Sequence, residues 1–124
     1  MTTITFTIPN EHWLTSNMRL HWHAKAKRVA WLRELATKRV SEWGIYYRQP
    51  VRITAWIGYA SNAKADPVNA SETGKPLVDG LVAGGLFIDD SHEWVIGPDY
   101  RRDPVKTPRG YHTVRLQIET VDTP

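Results

Sequence analysis

Asp66 stands in the run DPVN, and Asp89 and Asp90 follow in the run FIDDSHEW, with Lys75 between them. Carboxylates that converge repel one another unless they are protonated or bound to a cation. The chain has no cysteine, and hard oxygen ligands without thiolates favour Mg2+ or Mn2+. A lysine beside such an ion stabilises the charge that develops on a phosphate during in-line displacement. One reading of these residue types is therefore a metal site acting on a phosphate. The same residues also have a plainer reading. Asp before Pro starts turns, and Asp89-Asp90-Ser91 suits a loop or a helix N-cap. His21 and His23 form an H-x-H pair that suits a metal, but packed or solvated histidines are commoner. The chain contains no P-loop, Rossmann fingerprint, nucleophile elbow or HExxH helix.

Periodicity tells which elements must hold these groups. Thr3–Ile8 alternates Thr with Ile4, Phe6 and Ile8, the pattern of a half-buried strand stopped by Pro9. Residues 10–23 read as irregular. From Ala24 to Trp43, apolar residues recur at three and four (Val29, Leu32, Ala36, Val40, Trp43), which predicts an amphipathic helix closed by Gly44. Val51–Tyr59 alternates again, a second strand. Residues 60–74 read as loop. Pro76 suits the first turn of a short helix through Leu77, Val78 and Leu81 that Gly84-Gly85 closes. Trp94–Ile96 and Tyr111–Val121 are the remaining strand candidates, joined by the basic, Pro-rich run GPDYRRDPVKTPRG, read as a turn.

The expected fold is thus α/β (α+β), one small domain over residues 1–124, in the order β-α-β-α-β-β. Two helices pack on a mixed sheet: helical crossovers suit parallel pairs, and the short last connection suits an antiparallel one. On this map Asp66 follows a strand, and Asp89 and Asp90 follow the next helix, so the acidic points are expected to meet at one end of the sheet. A chain of 124 residues with a net charge of +3 can bury one core and permits a polyanion partner. Six Trp is high for this length, and an exposed one would suit stacking on bases or an interface. No signal h-region or membrane-length apolar run is seen, and the expectation is a cytoplasmic protein.

Taken together, ADPVN, Lys75, DGLVAGGLFIDD and VIGPDYRR resemble the RusA family of Holliday junction resolvases, found in phages and prophages. TSNMRLHWHAKAKRVAWLR also resembles phage members, which carry a Ser/Asn–Arg segment before a basic helix. The resemblance spans almost the whole chain. It implies a homodimer that cuts four-way DNA junctions by Mg2+- or Mn2+-dependent hydrolysis, with a metal-activated water attacking the phosphate. It places one carboxylate at Asp66, one two residues later and one at Asp90, with Asp89 a further metal candidate; its lysine falls on Lys75 and its motif asparagine on Asn69. A DNA footprint must be basic, and its candidates are Asn17, Arg19, Lys25, Lys27, Arg28, Asn69, Arg101 and Arg102, with Arg33, Lys64, Lys106 and Arg109 as further basic residues; the plainer reading of any one cation is a solvated surface charge.

The chain departs from the pattern at Val68, which cannot bind a metal; either Asp89, Glu93, Asp79 or a water substitutes, or the site holds fewer metals, or activity is reduced. The spacing from Asp66 to Lys75 is also longer than in the bacterial prototype. Two other functions compete with the nuclease: a branched-DNA-binding protein that has lost its chemistry through Val68, and a nucleic-acid packaging or scaffolding factor on the same fold.

Overall fold

A computed structural model describes residues 1–121; the last three positions of the expected 1–124 domain lie outside the described residues. Strand β1 (Thr2–Pro9) leads through a short 3-10 turn (Asn10–His12) to helix α1 (Trp22–Trp43). Strand β2 (Val51–Gly58) is followed by a second 3-10 turn (Pro67–Ala70), which runs directly into helix α2 (Ser71–Ala83). Strands β3 (Val95–Arg102) and β4 (Tyr111–Thr120) complete the chain. This is the expected α+β fold. The four strands form one mixed sheet in the order β1-β4-β2-β3. β4 is antiparallel to both β1 and β2, and β2 is parallel to β3 across the α2 crossover.

Alternation in the strands decides where the core lies. Ile4, Phe6 and Ile8, Val51, Ile53, Ala55 and Ile57, and Val114, Leu116 and Ile118 all point to one face and are buried. They join Leu32, Ala36 and Val40 of α1 and Leu77 and Leu81 of α2 in a single cluster. Both helices therefore cover the same side of the sheet. Gly44 closes α1 in the left-handed region (φ 69°), where a residue without Cβ is unstrained.

Three local expectations are corrected. β3 and β4 do not form a hairpin; β2 lies between them. Gly97–Arg102 is not a turn but most of β3. Prolines are tolerated on edge strands and at irregularities, and Pro98 has both: β3 is an edge, and its register against β2 shifts between Arg52 and Thr54. Finally, α2 begins at Ser71, so Pro76 lies inside it rather than in its first turn. The polar run ASETG hides this start, because its residues are committed to contacts with other parts of the fold: Thr73 bonds to Leu14, and a Cβ on Gly74 would collide with Tyr100.

Candidate active site

β2 delivers the chain to the end of the sheet where Asp66 sits. Arg102, on neighbouring β3, pins the loop that follows: its guanidinium donates to the carbonyls of Ala63 (2.9 Å) and Ser61 (2.8 Å) and lies 4.6 Å over the Tyr59 ring. Asp66 then caps the 3-10 turn. Its Oδ1 accepts from the Val68 N–H at 3.1 Å, and its carbonyl accepts from Asn69 N–H at 3.0 Å. The carboxylate is otherwise exposed. Burial raises the Tyr59 phenol pKa; Arg102 opposes the shift and the Asp66 charge adds to it, which places that carboxylate within electrostatic reach of the phenol. Val68 is 53% exposed. Position 68 is thus not a core position, and its side chain projects into solvent beside Asp66.

The segment before α1 docks on this turn from more than fifty residues away. Ser16 makes two bonds to Asn69, from Oγ to Oδ1 (2.9 Å) and from N–H to the carbonyl (3.0 Å). Thr73 Oγ1 accepts from Leu14 N–H (2.9 Å) and donates to the Leu14 carbonyl (2.8 Å) in a buried setting. Lys25 pairs with Glu72 at 3.1 Å, and Arg28 donates to the Trp13 carbonyl at 2.7 Å. A polar cleft of about 150 Å3 lies along the segment before α1, lined by Ser16, Arg19, Lys25 and Glu72 among others. The N-terminal TSNMR segment therefore docks on the DPVN turn through Ser16 and Asn69, and Asn17 and Arg19 are exposed.

The expected DNA contacts divide into two kinds. Arg19, Lys27 and Arg101 are exposed and make no ion pair or side-chain hydrogen bond among the described residues. Arg28 and Arg102 spend hydrogen bonds inside the protein, Lys25 is paired with Glu72, and the Asn69 side-chain oxygen is taken by Ser16. These four build the surface as well as charge it. Thr73, Tyr59 and Glu72 carry no motif signal and were not legible as members of the site; Ser16 lies in the resembling TSNMR segment, but its contact with Asn69 was not legible.

Lys75 projects from α2 into solvent, its Nζ 3.8 Å from Asp79 Oδ2. Glu72, Lys75 and Asp79 recur at three and four and so share one side of the helix. With Val29 of α1 they line a second cleft, of about 290 Å3, next to the first.

Asp89 and Asp90 lie elsewhere. A helix joining two parallel strands must carry the chain back to the end where the first strand began. α2 has 13 residues, about 20 Å at 1.5 Å per residue. The connection after it is held at the start of β2, where Tyr47 N–H donates to Leu86 O (2.7 Å) and Val51 N–H to Trp94 O (2.8 Å). There Asp89 Oδ1 accepts from Asp90 N–H at 2.7 Å, and both side chains are exposed. The expectation that the acidic points meet at one end of the sheet is corrected: Asp66 and the Asp89-Asp90 pair occupy opposite ends. Asp79 is taken up by Lys75, and Glu93 lies in the same connection as Asp90. Among the described residues, no three Asp, Glu or His side chains come together as cation ligands. His21 and His23 sit together at the start of α1, ring centroids 5.1 Å apart.

Neither a comparison with protein-family models nor one with curated proteins finds a match for this chain. No helix among the described residues is long and apolar enough to cross a membrane.

Proposed function

We propose that the protein is a structure-selective DNA endonuclease of the RusA type, acting as a homodimer on four-way junctions with Mg2+ or Mn2+. The observation that carries this reading is the docking of Ser16 and Leu14 onto Asn69 and Thr73. It joins two stretches that each resemble the family, one carrying the exposed Arg19 and the other the exposed Asp66. Phosphate neutralisation by Lys and Arg, with release of counterions, supplies much of the affinity for DNA; Arg19, Lys27 and Arg101 are the side chains free to do so. Lys75 supplies positive charge where the phosphate gains negative charge. Asp66 and Asp90, at opposite ends of one chain, serve a common cation only across a two-fold pair, Asp66 of one protomer with Asp90 of its partner. Such a pair also presents two identical sites, which matches a junction that needs two symmetric cuts.

An end-labelled four-way junction incubated with Mg2+ tests the reading. Nicks at symmetric positions are expected, and intact junction after saturating binding would overturn it. The second reading, a branched-DNA-binding protein without chemistry, is favoured by the exposed, oxygen-free side chain of Val68 beside Asp66. It predicts that intact, metal-independent complex.

A further inference from the structure

The six tryptophans do not share one environment. Five are buried or half-buried, while Trp22, the first residue of α1, is 67% exposed. Its indole is not loose. The His23 ring lies against it with centroids 3.4 Å apart, and His21, whose Nδ1 accepts from the His23 N–H, stacks at 5.1 Å on His23 and 5.8 Å from the indole. The three rings form a platform at the start of α1, three residues after Arg19 in the chain. The segment beneath is tied down by the Leu14–Thr73, Lys25–Glu72 and Arg28–Trp13 contacts, so the aromatic face is positioned in advance of any partner.

The charge around it selects the partner. From His12 to Arg33 the chain carries Arg19, Lys25, Lys27, Arg28 and Arg33 and no Asp or Glu, and the first turn of α1 has no acidic residue. An aromatic face set in a basic surface is the arrangement that binds nucleic acid strands: the cations follow the phosphates and the ring stacks on a base. In an intact duplex, each base already stacks on its neighbours. Only strand ends, gaps and branch points offer an open base.

We propose that Trp22, backed by His23 and His21, stacks on an unpaired or unstacked base and so makes the protein prefer branched and single-stranded DNA over closed duplex. This rests on the nucleic-acid part of the function proposed above but not on the chemistry. It adds a discriminating residue outside the carboxylate and lysine positions.

The test uses the whole protein in EDTA with three DNAs: a four-way junction carrying 2-aminopurine at the branch point, a single strand carrying the same base, and a duplex closed by hairpins at both ends. Wild type is expected to quench the aminopurine in the first two. Trp22→Ala is expected to lose the quench and to bind those DNAs roughly five- to 150-fold more weakly, the range for one lost base–aromatic stack. Its affinity for the closed duplex should hardly change, and Trp22→Phe should retain most of the wild-type behaviour. Because Trp22 is exposed, a thermal melt of each variant should match wild type. Four results overturn the proposal. One is quenching and affinity in Trp22→Ala equal to wild type, and another is the same loss on all three DNAs. A third is reduced self-association of Trp22→Ala with unchanged quenching, which would assign the ring to an interface between copies. Failure of wild type to bind any DNA would remove the nucleic-acid reading as well, whereas a Trp22-dependent quench without cleavage in Mg2+ would leave this inference standing and remove only the nuclease.

Discussion

Asp66 is the residue on which binding and chemistry are expected to separate. Its side chain supports the turn through one hydrogen bond to Val68 N–H, and an amide oxygen can accept the same bond. Asp66→Asn should therefore keep the fold and the junction affinity, or raise that affinity by removing a negative charge from the DNA-facing surface, while abolishing nicking. Gel shifts and cleavage run on one preparation check this, and wild-type cleavage by the variant would remove Asp66 from the site. Val68 makes the complementary case. Because its side chain is exposed, Val68→Asp should change stability by no more than about 0.5 kcal/mol, the usual range for surface positions. It should also lower the Mg2+ concentration for half-maximal cleavage, since it adds oxygen ligands beside Asp66. A melt and a metal titration of both proteins decide it; unchanged metal dependence would mean that position 68 does not face the cation. At this scale the sequence showed the carboxylates and the lysine, because those types carry chemistry wherever they stand. It could not show Thr73 or Glu72, nor that Ser16 of the TSNMR segment docks on Asn69, because those roles come from partners distant in sequence.

The elements were legible where one face is buried and the other wet, as in β1, α1, β2 and β4. β3 was lost because Gly97 and Pro98 interrupt its pattern, and only an edge position makes them tolerable. The start of α2 was lost because Thr73 and Gly74 are fitted to Leu14 and Tyr100 rather than to any helical pattern. Gly80, in the stretch DGLV, has a packing reason of its own. A Cβ there would collide with the Arg33 carbonyl and come within 2.8 Å of the Ala36 Cβ, and Thr37 Oγ1 donates to the Gly80 carbonyl at 2.9 Å. Gly80→Ala should thus push α2 from α1 and cost about 1–3 kcal/mol, as overpacking typically does; chemical denaturation measures it. The seam between β4 and the turn after β1 is expected to respond to acid. His112 stacks on Trp13 at 4.2 Å, and its Nδ1–H donates to Asn10 Oδ1 at 2.7 Å. Burial holds its pKa below the ordinary value of 6.5. The unfolded chain then takes up the proton first, so stability is complete above about pH 6.5 and falls as the pH drops below it. Melting wild type and His112→Gln at pH 7.5 and pH 5 should show a smaller acid loss in the variant; equal losses would place the acid sensitivity elsewhere.

At the scale of the whole molecule, sequence order misled in one respect. Asp66 and Asp90 flank one helix, and proximity along the chain was taken for proximity in space. The parallel pairing of β2 with β3 makes the opposite true, since the crossover that permits it spans the sheet. On the proposed function, a cation shared by Asp66 and Asp90 would be held between two chains, and light scattering at micromolar concentration should give twice the chain mass. The most direct measurement combines variants that are each expected to be inactive. Asp66→Asn and Asp90→Asn, co-refolded as a mixture with exchange verified by mass, form some dimers in which an intact Asp66 faces an intact Asp90 across the interface. The account predicts that neither variant alone nicks a four-way junction in Mg2+, while the mixture does. A mixture as inactive as its components, beside an active wild type, would contradict it.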